Sequence, residues 1–305
     1  MRLAFLGTPD AAVASLRALV DAGHEVALVV TRADRRRGRG GALVASPVKR
    51  AALDLGLNVT DELGAVRDSR IEWGVVVAYG ALIPASLLGE VPMLNVHFSL
   101  LPRWRGAAPV ARAILAGDVE TGVDVISLEA TLDTGPIHAE ARVKVADKSL
   151  SELTEELADV GSRVLVDVLA SSQLLAHPRP QVGEAIYARK LDSTDFVLLE
   201  SMDVASAARV ARLERSAVLI GGRRLRILRA HVDVRAGARS GEAGRVLVNG
   251  ALALEFRDGT LVLDSVKPDG GRAMASAAWW AGARLGEPLR WEGPIAPDRP
   301  VGSGA

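Results

Sequence analysis

The chain opens with Arg2-Leu3-Ala4-Phe5-Leu6-Gly7-Thr8-Pro9-Asp10, an apolar run that ends in a turn. A helical pattern over Ala11–Ala22 and a second apolar run over Glu25–Thr31 follow it. Short apolar runs that alternate with helical patterns predict parallel strands covered by helices. The same alternation continues with strands predicted at Trp73–Ala78, Met93–His97 and Val123–Glu129, and helices at Pro47–Leu55, Ala107–Ala116 and Leu150–Ala170. The first half is therefore predicted to be an α/β domain with a parallel-rich sheet.

Composition restricts the class of protein. The chain has 305 residues, of which 49% are hydrophobic and 24% charged, as expected for a globular protein of about two domains. No apolar run reaches the roughly 18 residues of a membrane helix, and Asp10 comes too early for a signal peptide. We therefore expect a cytoplasmic protein without membrane contact. Zero cysteines and unsuitably spaced histidines predict no metal site.

The pattern changes after the first 170 residues. Residues 171–188 contain prolines and little periodicity and are predicted to be a linker between domains 1–170 and 189–305. Glycine turns then separate five short strands, which predict a small β-barrel resembling the oligonucleotide-binding (OB) fold. These strands are predicted at Ala217–Ile220, Leu225–His231, Arg245–Val248, Ala251–Phe256 and Thr260–Val266. The residues after Leu285 are predicted to be a tail.

Arginines are concentrated in two places. Six of them lie in the long connection of residues 31–50: Arg32, Arg35, Arg36, Arg37 and Arg39, near its glycines, and Arg50 at its end. Ten arginines against three acidic residues lie between Arg209 and Arg245, although basic and acidic residues balance at 37 each over the chain. Such clusters favour a polyanion as partner, and a solvated surface is the alternative.

One stretch carries the strongest chemical signal. Asn95 and His97 are two residues apart, so on a strand their side chains share one face. An amide and an imidazole at the carboxyl end of a parallel strand can stabilise a carbonyl oxygen as it becomes an oxyanion. Asp133, which precedes Thr134-Gly135, follows another predicted strand and could orient His97 and accept a proton. A plain turn residue is the alternative for Asp133.

These motifs resemble the folate-dependent formyltransferases, in particular the branch that acts on methionyl-tRNA. The resemblance rests on Phe5 to Asp10, Arg35 to Lys49, Val77 to Gly80, Asn95 to Pro109 and Leu132 to Gly135, in the family's order and approximate spacing. It covers essentially all of residues 1–170 and is weaker after residue 188, where it rests mainly on Val266–Gly270 and Met274–Ala277.

The resemblance implies a Rossmann-like catalytic domain and an activity. The enzyme would transfer a formyl group from 10-formyltetrahydrofolate to the α-amine of methionyl initiator tRNA, in translation initiation. Asn95 and His97 would stabilise the oxyanion and Asp133 would support His97 and proton removal. Folate would lie near Ala78, Tyr79, Gly80, Ser99, Leu100, Leu101 and Pro102. The tRNA would contact Arg35, Arg36, Arg37, Arg39, Lys49, Arg223, Arg224 and Arg226.

Two other functions fit parts of the sequence, and a third finds no support in it. An N-formyltransferase acting on an amino sugar nucleotide would share Asn95, His97 and Asp133 but would not need the arginine clusters. A non-catalytic RNA-binding protein would need the clusters but not the set of Asn95, His97 and Asp133. A dinucleotide oxidoreductase lacks support, because the turn after the first strand has no Gly-x-Gly-x-x-Gly fingerprint. No feature of the sequence indicates an obligate protein partner.

Overall fold

The computed structural model describes residues 1–37, 41–233, 243–248, 250–286 and 288–293. Its strands are β1 (Arg2–Gly7), β2 (Glu25–Val30), β3 (Arg35–Arg37), β4 (Ala42–Val44), β5 (Val59–Thr60), β6 (Trp73–Val77), β7 (Met93–His97), β8 (Arg105–Gly106), β9 (Glu120–Ser127), β10 (Ile137–Lys144), β11 (Tyr187–Ala188), β12 (Ala217–Ile220), β13 (Arg223–Val232), β14 (Arg245–Val248), β15 (Leu252–Phe256), β16 (Gly259–Pro268), β17 (Met274–Ala275) and β18 (Leu289–Glu292).

The helices follow the predicted positions closely in the first half. They are α1 (Val13–Asp21), α2 (Pro47–Asp54), α3 (Ala85–Leu88), α4 (Pro109–Ala116), α5 (Leu150–Ala170), α6 (Ser172–Ala176), α7 (Val204–Ala211) and α8 (Ser276–Ala283), with 3-10 helices at Asp10–Ala12, Leu63–Ser69 and Ser193–Phe196. Helix α5 begins at a capping box, in which Ser149 and Glu152 satisfy each other's backbone N–H groups. Ser46 caps α2 through the Lys49 N–H at 3.0 Å, and Pro47 occupies its first turn.

The predicted α/β domain with a parallel-rich sheet is confirmed, and the sheet has an additional antiparallel strand, β10, at its edge. Among the described residues the large sheet has the order β10-β9-β7-β6-β1-β2-β5. The strands from β7 to β5 are parallel, whereas β9 pairs antiparallel with both β7 and β10. The strand predicted at Val123–Glu129 is therefore β9, and it enters the sheet in the opposite direction.

Helices cover the sheet on one face and shorter segments cover the other. Leu3 and Phe5 of β1 point into the core that includes α1 and α5, and Ala4 and Leu6 point into the second core. This is why β1 reads as a continuous apolar run: both of its faces are buried. Because these layers cover the two faces of the sheet, the carboxyl ends of the parallel strands are left uncovered. Open α/β sheets bind ligands at these strand ends.

The predicted barrel is confirmed, and it is closed by a strand that the sequence did not indicate. Strands β12, β13, β16, β15, β14 and β18 pair antiparallel around a ring, and β17 pairs with β16 outside it. The tail prediction is therefore wrong for Leu289–Glu292, which is β18. Trp291 of β18 is fully buried, and its ring lies 5.3 Å from that of Phe256. This apolar anchor explains why a segment next to several prolines joins the barrel.

Residues 171–188 pack against the first domain. Arg179 and Ile137 exchange two backbone hydrogen bonds of 2.8 and 2.7 Å, and β11 runs parallel to β8. The segment predicted as a linker thus pairs with Ile137 of β10 through Arg179 and with β8 through β11. The division at residues 170 and 188 stays a prediction. No helix in the described part of the chain is both long enough and apolar enough to span a bilayer.

Candidate active site

Two side chains of strand β7 form the centre of the site. Asn95 and His97 share one face of β7 and are both buried, with 9% and 6% of their surfaces exposed. Strand β6 runs parallel beside β7, so that its carboxyl end lies at the same edge of the sheet. The Asn95 amide makes no hydrogen bond to any residue within the described part of the chain. It is therefore available to a ligand at this edge.

The structure brings Asp133 next to His97. The distance from Asp133 Oδ1 to His97 Nδ1 is 3.7 Å, and Asp133 Oδ2 accepts a hydrogen bond of 2.8 Å from the backbone N–H of Gly106. Asp133 has a φ of 54°, in the left-handed region. Such a conformation costs about 1–3 kcal/mol in a residue other than glycine and persists where the surroundings hold it. The carboxylate is thus held in place by its neighbours and directed at the imidazole.

Trp104 holds the other side of the imidazole. Its carbonyl oxygen lies 3.0 Å from His97 Nε2. A carbonyl only accepts hydrogen bonds, so Nε2 carries a proton and donates it to this oxygen. It follows that Nδ1, which faces Asp133, is the ring nitrogen that the Trp104 carbonyl leaves available. The Trp104 indole N–H in turn donates to Asp118 Oδ2 at 2.7 Å, and Arg103 bonds both oxygens of that carboxylate.

The first predicted folate segment directly follows β6. Ala78 and Gly80 are exposed, whereas the Tyr79 ring is buried, and burial raises the pKa of its hydroxyl. Thr8 donates to the Tyr79 carbonyl at 2.9 Å and Arg32 donates to the Gly80 carbonyl at 3.0 Å. Ala78 has a φ of 46°, so the strand turns sharply where it ends. These contacts fix the backbone of the segment beside the end of β7.

The second predicted folate segment lies across the face of β9. Ser99, Leu101 and Pro102 are buried and Leu100 is half-buried. The backbone N–H of Leu101 donates to Asp124 Oδ2 at 2.6 Å. A Cβ on Gly122 of β9 would lie 2.2 Å from the Ala141 carbonyl oxygen of β10 and 2.5 Å from a Leu100 methyl carbon, so only glycine fits between that carbonyl and this loop.

The residues predicted to contact tRNA form two separate groups. Arg35, Arg36 and Arg37 belong to β3, which pairs with β4 as a hairpin, and Lys49 lies on α2, where it bonds both oxygens of Asp34 at 2.9 Å. Arg39 lies outside the described residues. Arg223, Arg224 and Arg226 belong to β13.

The directions of the arginine side chains on β13 follow from the alternation of side chains along a strand. Leu225 and Ile227 point into the barrel core, so Arg224 and Arg226 lie on its outer face. Arg224 pairs there with Asp269 at 3.0 Å. Among the described residues, the hydrogen-bond partners of the His97 ring, the Asp133 carboxylate and the Asp133 carbonyl are Trp104, Gly106 and Gln181, which belong to neither group.

Sequence reasoning missed three residues that shape the site: Trp104 as the partner of His97, Asp124 and Gln181. Asp124 had a signal, because it is a charged residue inside the apolar run Val123-Asp124-Val125-Ile126. Gln181 had none, because its partners are about 46 to 76 residues away along the chain. Over the described residues, no group of three or more metal-ligating side chains occurs.

Comparisons with known proteins agree with this geometry. Residues 1–169 match the model of the formyl transferase family and residues 210–284 match that of the formyl transferase C-terminal domain. The methionyl-tRNA formyltransferase of Rhizorhabdus wittichii is 40% identical over 95% of this chain and all of its own length.

Solved structures share the fold at lower identity. HypX from Aquifex aeolicus in complex with tetrahydrofolic acid has a TM-score of 0.66 at 17% identity, over 98% of this chain and 51% of that one. The methionyl-tRNA formyltransferase from Clostridium thermocellum has a TM-score of 0.53 at 14% identity, over 76% of this chain and 94% of its own. From the two family models and the full-length relative, the chain belongs to the formyl transferase family, alongside the methionyl-tRNA formyltransferases.

Proposed function

We propose that this protein transfers a formyl group from 10-formyltetrahydrofolate to the α-amine of methionyl initiator tRNA. The observation that carries the proposal is the meeting of three groups at one strand end: the unengaged Asn95 amide, the His97 imidazole and the Asp133 carboxylate. Formyl transfer to an amine needs a donor to the carbonyl oxygen and an acceptor for the amine proton. The three groups supply both functions.

Asn95 and His97 act on the formyl oxygen. As the amine attacks the formyl carbon, negative charge develops on that oxygen, and the Asn95 amide N–H donates to it. Because the Nε2 proton of His97 is engaged by the Trp104 carbonyl, the second donor is a protonated Nδ1. Asp133 stabilises the imidazolium across 3.7 Å. Donors that are fixed in a site of low water content need little rearrangement as the charge develops.

Asp133 also accepts the proton that the attacking amine must lose. Its Oδ2 is held by the Gly106 N–H, which leaves Oδ1 towards His97 and the substrate side. The proton reaches Oδ1 directly or through one water. When the new C–N bond has formed and the bond to N10 of the folate breaks, a proton returns to that nitrogen, so protons balance over the cycle.

The chemistry of the strand ends fits a folate co-substrate. Exposed backbone at Ala78 and Gly80 offers hydrogen-bonding groups, and the apolar residues Leu101 and Pro102 are buried, with Leu101 in a cluster with Ile126 and Ile137. A pterin ring needs both kinds of neighbour. The related HypX structure is described in complex with tetrahydrofolic acid. When bound, the co-substrate supplies the formyl carbon, and the residues of segments 78–80 and 99–102 orient it towards Asn95.

The basic residues would take the tRNA. We propose that Arg35, Arg36, Arg37, Arg39 and Lys49 contact the acceptor end near the catalytic domain, residues 1–170. Arg223, Arg224 and Arg226, which share one strand of the barrel, would contact more distant phosphates from domain 189–305. Segment 171–188 joins the two domains. Such an activity belongs in the cytoplasm, where translation begins.

The test is formyl transfer from 10-formyltetrahydrofolate to methionyl initiator tRNA. We expect His97→Ala and Asp133→Ala each to lose about 10²–10⁴ in turnover, and Asn95→Ala about 10²–10³. His177→Ala, a change at an exposed histidine, is the matched control and should retain wild-type turnover. Near-normal turnover of His97→Ala would refute the role of the imidazole. Transfer to a nucleotide-linked amino sugar, without transfer to tRNA, would favour the alternative substrate class.

A further inference from the structure

Gln181 makes a complete set of hydrogen bonds at the back of the site. Its Nε2 donates to the backbone carbonyls of Asp133 and Gly135, both at 2.9 Å. Its Oε1 accepts from Nε and a terminal nitrogen of Arg105, at 3.1 and 2.5 Å. The orientation of the amide is fixed by chemistry, since carbonyls only accept and a guanidinium only donates. One side chain therefore connects two segments that are distant in sequence.

The first of these segments is the turn that carries the catalytic carboxylate. Asp133 has the strained φ of 54°, and a Cβ on Gly135 would lie 1.8 Å from the Ser127 carbonyl oxygen. The turn thus has little freedom on its sheet side. On its other side, the Gln181 amide nitrogen binds two of its carbonyls at once. This double contact opposes rotation of the turn, which would move Asp133 Oδ1 away from His97.

The second segment supplies the group that binds the carboxylate. Arg105 directly precedes Gly106, and the Gly106 N–H donates to Asp133 Oδ2 at 2.8 Å. Gln181 is therefore bonded to the segments at both ends of this hydrogen bond. A side chain that positions both the acceptor and its donor sets the distance between them and, through it, the direction of Oδ1.

Gln181 itself lies in a well-anchored part of segment 171–188. Two residues before it, Arg179 exchanges two backbone hydrogen bonds with Ile137. After it, the Ile186 N–H donates to the Pro102 carbonyl at 3.2 Å and the Arg105 N–H donates to the Ile186 carbonyl at 2.9 Å. The backbone on both sides of Gln181 is thus tied to the catalytic domain, and its side chain is directed at the turn.

We propose that Gln181 is a positioning residue for formyl transfer, which acts through the backbone of Asp133 and through Arg105 to hold Asp133 against His97. The inference rests on the proposed function for its kinetic readout. The geometry itself is independent of the substrate. It assigns a role in catalysis to the segment between the domains.

The deciding variant is Gln181→Glu. It keeps the length of the side chain and an oxygen that accepts from Arg105, but it replaces both N–H donors by an oxygen facing two carbonyls. We expect kcat to fall about 10- to 100-fold, because a displacement of the order of 1 Å costs up to about 10²-fold. The KM for the folate should stay within about threefold, and the pH profile of kcat should change. Gln173→Glu, on the exposed side of α6, adds the same charge and should leave all three unchanged.

A second readout does not depend on activity. The ring resonances of His97, assigned by comparison with His97→Ala, should shift in the NMR spectrum of Gln181→Glu and not in that of Gln173→Glu. If the wild type transfers no formyl group to tRNA while this shift appears, the proposed substrate fails and the positioning role stands.

Three results would overturn the role. The first is kcat within twofold of wild type in folded Gln181→Glu, and the second is unshifted His97 resonances. The third is an equal loss in kcat and in folate affinity, which would indicate general structural damage. Should Gln181→Glu not fold, Gln181→Met, which keeps the length without the amide, undergoes the same comparison.

Discussion

Asp124 makes the stability of this protein dependent on pH. Asp124 of β9 lies opposite His97 of β7 in the strand register, and it is fully buried. One oxygen accepts from the Leu101 N–H at 2.6 Å, and the other has no hydrogen-bond partner in the described structure. Burial raises the pKa of Asp124 from 3.8 to about 7. The hydrogen bond from Leu101 opposes this, Glu140 adds to it, and Arg179 and Arg142 oppose it.

The magnitude follows from the two pKa values. The folded state binds the proton about three pKa units more tightly than the unfolded chain does, and each unit corresponds to about 1.4 kcal/mol. Stability contributed by the neutral carboxyl is fully present below pH 4 and is lost as the pH rises towards 7. Above that pH the loss is constant at roughly 4 kcal/mol, and roughly 2–3 kcal/mol of it falls between pH 5 and 8.

The variant Asp124→Asn removes this dependence. Asparagine keeps an oxygen for the Leu101 N–H but cannot ionise, while its NH₂ group remains unpaired at a cost of about 1–3 kcal/mol. Relative to wild type, the free energy of unfolding of the variant should therefore rise by roughly 2–3 kcal/mol between pH 5 and pH 8.

The assay is urea unfolding followed by circular dichroism, at several pH values between 5 and 8. Asp167→Asn, at an exposed position of α5, is the control and should differ from wild type by the same amount at every pH. A constant difference between Asp124→Asn and wild type over this range would refute the argument, because it would mean that Asp124 titrates alike in the folded and unfolded chains.

Further predictions concern the flanking contacts. Arg39→Ala should weaken formylation of tRNA and the salt dependence of tRNA binding while folate affinity is unchanged; equal loss of both would contradict the assignment. Gly122→Ala would place a Cβ against the Ala141 carbonyl oxygen and Leu100, so it should lower the free energy of unfolding and, in the folded protein, raise the folate KM at least severalfold in steady-state kinetics; an unchanged KM would separate this loop from folate. Asp118→Asn should weaken the 2.7 Å hydrogen bond from the Trp104 indole and lower kcat by up to about tenfold. An unchanged kcat would contradict this prediction.

Features that depend only on residues close together in the sequence were the most predictable. The alternation over residues 2–31 predicts strand, helix and strand because apolar spacing is a local property, and the structure agrees. The spacing of Asn95 and His97 predicts a shared strand face for the same reason, and both side chains lie there. The direction of β9 and the closing strand β18 were not predictable in this way, since strand direction and barrel closure depend on partners that no local pattern identifies.

Residue type and local spacing were thus sufficient for the fold class, the two kinds of sheet and the shared strand face of Asn95 and His97, whereas the catalytic roles of Asn95, His97 and Asp133 stay a prediction. The distance of 3.7 Å between His97 and Asp133 could be known only from the folded structure, because the two residues are 36 positions apart in the sequence. The same holds for Trp104 on the imidazole and for Gln181 behind the Asp133 turn. Hydrogen bonds depend on distances of a few tenths of an ångström and on direction, and packing of the whole domain sets both.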